Sequence, residues 1–79
     1  MKIEIKNRGS MYVYDDDKYI RLTGELSAGP DYIFYIDLIS LDCWTVGMGK
    51  FKISEKEKEE IKKKIIEEGE KMKLKIIFD

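Results

Sequence analysis

The chain has 79 residues, 43% hydrophobic and 39% charged, with a formal net charge of −1. That length suits one domain, residues 1–79, whose thin core leaves little room for a deep enclosed catalytic cleft. The near-zero charge removes the usual electrostatic reason to expect nucleic acid or an anionic membrane, and no apolar run approaches the ~18–20 residues of a membrane span.

Lys2 to Lys6 alternates, with Ile3 and Ile5 on one face, as a half-buried strand does. Asn7-Arg8-Gly9-Ser10 reads as a turn. Met11–Tyr14 and Tyr19–Leu26 are rich in aromatic and β-branched residues and flank Asp15-Asp16-Asp17-Lys18, a polar loop of hairpin length. Setting Tyr14 opposite Tyr19 puts Val13 opposite Ile20, Tyr12 opposite Arg21 and Met11 opposite Leu22. One face then holds Met11, Val13, Ile20 and Leu22; the other holds Tyr12, Tyr14, Tyr19, Arg21, Thr23 and Glu25.

Ser27 to Asp31, with its Gly and Pro, reads as a loop. Tyr32 to Ile39 is apolar and aromatic apart from Asp37, which predicts a central strand covered on much of both faces. Leu41 to Trp44 could extend it past a bend near Ser40, and Gly47-Met48-Gly49 reads as a flexible segment. Ser54 with Glu57 three residues on is a capping box that starts a helix over about Glu55–Glu68, with Gly69 as a left-handed cap. Glu59–Lys63 and Glu60–Lys64 have the spacing of i,i+4 pairs. Ile61, Ile65 and Ile66 form its narrow apolar stripe. Lys73 to Phe78 alternates again, with Leu74, Ile76 and Phe78 on one face. The predicted fold is α+β: a mainly antiparallel sheet in the order β-β-β-β-α-β, with the helix packed on one face.

The chain has no histidine, which excludes Ser–His and Cys–His nucleophile systems and histidine metal sites. Cys43 is the only cysteine, so no disulfide forms within one chain, and a cytoplasmic location is favoured. The N-terminal residues lack the apolar core of a signal peptide. Val46-Gly47-Met48-Gly49-Lys50 departs from a phosphate loop: Phe51 stands where Ser or Thr is needed, and no helix follows directly. Asp15-Asp16-Asp17 lacks the alternation, glycine and terminal glutamate of a calcium loop. We therefore expect no catalytic residue, no cofactor, no metal site and no enzymatic activity.

The aromatic pattern is more informative. Tyr12, Tyr14 and Tyr19 share a face with Arg21 and Glu25, and Tyr35 and Asp37 share one parity of the next strand. Tyrosine suits strands for structural reasons alone. Tyr, Trp and Arg also dominate protein-binding hot spots, so these residues and Trp44 are the candidate partner-binding set. Trp44 serves as core or as interface anchor. Ile33 and Ile39 share the parity of Tyr35, so an apolar patch could instead pair two copies of the chain in a structural or homo-oligomerising module, and the chain is expected as a monomer or a homodimer.

Gly24-Glu25, the aromatic run Tyr32-Ile33-Phe34-Tyr35, Trp44, the helix from Ser54 through Ile65, and Lys75-Ile76-Ile77-Phe78 follow one another over Tyr19 to Phe78. In this pattern the chain resembles the small immunity proteins of bacterial polymorphic toxin systems. The resemblance implies a cytoplasmic protein that binds and blocks a cognate protein toxin, without catalysis or cofactor. Between Asp15 and Gly47 the chain has seven acids against two bases, an acidic middle that suits solubility and, as a binding feature, a basic toxin.

Overall fold

The computed structural model describes residues 1–79. Along the chain run β1 (Lys2–Asn7), β2 (Ser10–Asp15), β3 (Lys18–Ala28), β4 (Tyr32–Ile36), a 3-10 turn (Leu38–Ser40), β5 (Cys43–Val46), β6 (Gly49–Lys52), α1 (Glu55–Lys71) and β7 (Lys75–Phe78). The seven strands form one sheet in the order β1-β2-β3-β4-β7, with β5 attached to β3 and β6 attached to β5. All pairs are antiparallel except β4–β7, which is parallel. The class is the expected mixed α+β with one helix. Six strands precede the helix rather than four.

The β2–β3 hairpin has the register that its alternation dictates: Tyr14 faces Tyr19, Val13 faces Ile20, Tyr12 faces Arg21 and Met11 faces Leu22. Met11, Val13, Ile20 and Leu22 are all buried. They face α1, whose buried residues Ile61, Ile65 and Gly69 lie four apart on one side of the helix. Phe34 and Ile36 from β4, Ile76 from β7, Trp44 from β5, and Leu41 and Ile53 from the connections complete this layer.

The middle of the chain departs from expectation. The strand predicted over Tyr32–Ile39 ends at Ile36, and Ile39 is almost fully exposed on the 3-10 turn. Ser40 makes the break: its hydroxyl donates to the Asp37 carbonyl at 2.6 Å and accepts from the Thr23 N–H at 3.1 Å. Beyond this turn the chain rejoins β3 as β5, and Gly47-Met48 turns it back into β6. The presumed flexible segment is thus a hairpin turn. β4 does lie inside the sheet, between β3 and β7, but only its Phe34–Ile36 face is buried; Tyr32 and Tyr35 are exposed.

Two glycines are fixed by close approach. Gly24 lies within β3, which runs on to Ala28, and a Cβ there would overlap the Tyr35 carbonyl and come within 2.9 Å of the Ile36 Cα. Gly69 is not the helix cap. It is buried inside α1, and a Cβ would meet Ile76 Cδ1 at 2.6 Å and the Leu74 carbonyl oxygen at 2.9 Å. The left-handed residue is Lys73, at φ 58°. Around it the Leu74 N–H donates to the Gly69 carbonyl at 2.8 Å and the Lys73 N–H to the Glu70 carbonyl at 3.0 Å, the paired bonds of a Schellman motif. The helix surface pairs are i,i+3 rather than i,i+4: Lys58–Glu55, Lys62–Glu59 and Lys71–Glu68. No helix is long and apolar enough to cross a membrane.

Candidate functional site

With α1 on one face, the other face of the sheet presents strand side chains directly. Alternation along β2 and β3 puts Tyr12, Tyr14, Tyr19 and Arg21 there, opposite in register and hence side by side. The three rings pack together. Tyr12 stacks on Tyr14 at 6.0 Å between centroids and on Tyr19 at 5.8 Å, and Tyr14 lies 6.3 Å from Tyr19. Tyr12 is thus the middle ring, and the Lys6 ammonium sits 5.6 Å from its centroid. Arg21 is exposed and donates to the Ser10 hydroxyl at 3.3 Å.

The other candidates are spread along and around this face. Glu25 lies opposite Tyr35, both exposed, and continues the Tyr19–Arg21 row of β3. At strand spacing Glu25 is about 13 Å from Arg21, so it forms a second group rather than part of the tyrosine cluster. Asp37 ends β4 at the margin, where its carboxylate accepts from the Thr23 hydroxyl at 3.2 Å. Trp44 lies apart, on the helix side. It is buried, its indole N–H donates to the Glu57 carboxylate at 3.2 Å, and the Lys18 ammonium lies 4.5 Å from its ring.

Residues outside the predicted set share the face. Thr45 of β5 lies opposite Tyr19, Lys50 of β6 opposite Thr45, and Lys52 opposite Cys43. Arg21, Ser40, Asp42, Cys43, Thr45 and Lys50 line an open recess of about 280 Å³ beside the tyrosines. Within it the Cys43 thiol donates to the Asp42 carboxylate at 3.3 Å, which pushes the thiol pKa above its ordinary value; nearby Lys50 and Lys52 pull the other way, more weakly. At the β1 margin the Lys6–Glu4 contact, 2.9 Å, holds the Glu4 carboxyl below its ordinary range and raises Lys6. The alternation Lys50-Phe51-Lys52 was the sequence signal for β6, but it is three residues long and follows two glycines. No group of three His, Cys, Asp or Glu side chains is placed to hold a metal ion.

A seven-stranded sheet with its single helix on one face and a cluster of tyrosines on the other defines a small α+β domain with an open sheet face. The chain belongs to the Immunity protein 74 family, whose model matches residues 2–79. No curated protein and no solved structure matches it.

Proposed function

We propose that this immunity-family protein neutralises a cognate bacterial toxin by direct contact, through the sheet face that carries Tyr12, Tyr14, Tyr19 and Arg21. The observation that carries the reading is the tyrosine cluster itself. Three aromatic side chains lie together on a face that no other element covers, beside an exposed arginine. Such a group can bury a large area at little cost in side-chain entropy, because packing already restricts the rings. Glu25, Tyr35 and Asp37 would extend the contact along β3 and β4. Trp44 would support it from the core by holding β5 against α1. Binding needs no catalytic group or cofactor, and it would take place in the cytoplasm of the bacterium that makes the toxin.

The test is co-purification with the toxin domain encoded in the adjoining reading frame, followed by binding kinetics on variants. Arg21→Ala is the cleaner probe, since Arg21 makes one long hydrogen bond within the chain. It should keep the melting temperature and weaken binding by more than about 1 kcal/mol, mostly through faster dissociation. Tyr12→Ala should weaken binding at least as much, with some loss of stability from the two stacking contacts it removes. Folded Tyr12, Tyr14 and Arg21 variants with unchanged affinity would exclude this face.

A further inference from the structure

Resting on that reading, we infer that the partner surface received by the tyrosine face is acidic: it presents carboxylates to a basic rim. Around the tyrosines this face carries Lys2 and Lys6 from β1, Arg21 from β3, and Lys50 and Lys52 from β6. The register places them: Lys2 lies opposite Tyr14, Thr45 links Tyr19 to Lys50, and Lys52 lies two pairs further on and so on the same face. Residues directly opposite in a sheet project to the same side. Glu4 of β1 shares this face and is already engaged with Lys6 at 2.9 Å, and Glu25 lies about 13 Å along β3 from Arg21. Lys2, Arg21, Lys50 and Lys52 form no ion pair within the chain. Arg21, Thr45 and Lys50 converge on the recess beside Tyr19, a ready set of donors for a carboxylate. Asp42 also lines it and accepts from the Cys43 thiol while keeping its charge, so the recess holds two cations, Arg21 and Lys50, against one carboxylate.

Of the seven acids that make the middle of the chain negative, Asp15, Asp16, Asp17 and Asp31 lie elsewhere. Asp16 and Asp17 form the β2–β3 turn. Asp15 borders a recess on the helix side with Lys64 and Lys71. The charge count along the sequence suggested a basic partner, but folding takes four of those acids off the tyrosine face and leaves Glu25 and Asp37 at its β4 end, with Asp42 alone among the basic rim. A basic aromatic sheet face could also take single-stranded nucleic acid. The rings here favour protein, because their mutual packing occupies part of the surface on which bases would stack.

The experiment measures association of the full chain with the inactivated toxin domain from the adjoining reading frame, across a salt series. Two charge reversals are compared, Lys50→Glu/Lys52→Glu and Asp16→Lys/Asp17→Lys, all at exposed positions, with melting temperatures confirming the fold. At about 50 mM salt the lysine reversal should slow association about tenfold, and at about 500 mM the difference should close as screening shortens its reach. The aspartate reversal should leave association unchanged or faster. The opposite pattern, slowing by the aspartate reversal alone, overturns the acidic partner while leaving toxin binding intact. Failure of the unaltered protein to bind the toxin sinks the functional reading beneath both. A labelled oligouridylate of about 12 nucleotides is the third probe. Its retention by the unaltered protein, and loss in Lys50→Glu/Lys52→Glu, would assign the face to nucleic acid and overturn the inference.

Discussion

The Trp44 indole N–H donates to the Glu57 carboxylate at 3.2 Å and so ties β5 to the first turn of α1. The Glu57 backbone N–H meanwhile donates to the Ser54 hydroxyl at 3.2 Å. One residue therefore takes its helix cap through the main chain and gives its side chain to the core tryptophan. Glu57→Ala should leave the cap in place, strand a buried N–H and cost about 1–3 kcal/mol. Once Trp44→Phe has removed that N–H, the same change should cost much less. Urea unfolding of the two single variants and the double variant tests this, and strictly additive losses would refute the coupling.

Gly24 admits no side chain. A Cβ would collide with the β4 backbone at Tyr35 and Ile36, neither of which can rotate away. Gly24→Ala should cost about 3 kcal/mol or more, against a total of ~5 kcal/mol for so small a domain. An unchanged urea midpoint would show that the strands separate more easily than this packing implies.

Lys73 holds a left-handed conformation at φ 58° for the sake of the α1–β7 turn, and its side chain is exposed. Lys73→Gly removes the Cβ strain of about 1–2 kcal/mol but loosens the unfolded chain. The net effect should be a gain of about 0.5–1 kcal/mol, read as a higher thermal midpoint. A fall would mean that the lysine side chain contributes more than its exposure suggests.

Cys43 should react slowly with alkylating agents although it is half-exposed. Its hydrogen bond to Asp42 favours the thiol over the thiolate, and the thiolate is the reactive form. The rate should rise with pH through a midpoint above the ordinary thiol value of about 8.5. Asp42→Asn replaces the charged acceptor of the thiol hydrogen bond with a weaker neutral one, so the midpoint should fall and the rate at neutral pH should increase. A pH profile unchanged by Asp42→Asn would argue against the contact.

The hairpin was legible in the sequence residue by residue, because one buried face forces Met11, Val13, Ile20 and Leu22 to one parity and the tyrosines to the other. The helix start was legible from Ser54 and Glu57, although the glutamate side chain reaches Trp44, a contact no local spacing announces. Gly69 misled because a glycine near a helix end looks the same whether it caps the helix or lets Ile76 approach it. The break after Ile36 rests on Ser40 bonding to Thr23 and Asp37, and the β5–β6 hairpin on pairing with distant Lys18 and Tyr19. The basic rim was hidden for the same reason: Lys50 and Lys52 reach the tyrosine face only through that long-range pairing.

The parallel ladder between β4 and β7 has a kinetic consequence. Ile33 pairs with Lys75 and Ile36 with Phe78, so this ladder closes around the whole β5–β6–α1 segment, whereas Tyr14 meets Tyr19 across a short turn. Loop-closure entropy makes the short hairpin the quicker event and the long parallel closure the slower one. Pulsed hydrogen exchange should find Val13 and Ile20 amides protected before those of β7, and simultaneous protection would contradict that order. If the order holds, the tyrosine cluster takes shape on a nascent hairpin before the final strand docks. The surface proposed to face a partner would then mature early, and seating of the last strand would set the pace at which the complete molecule becomes durable.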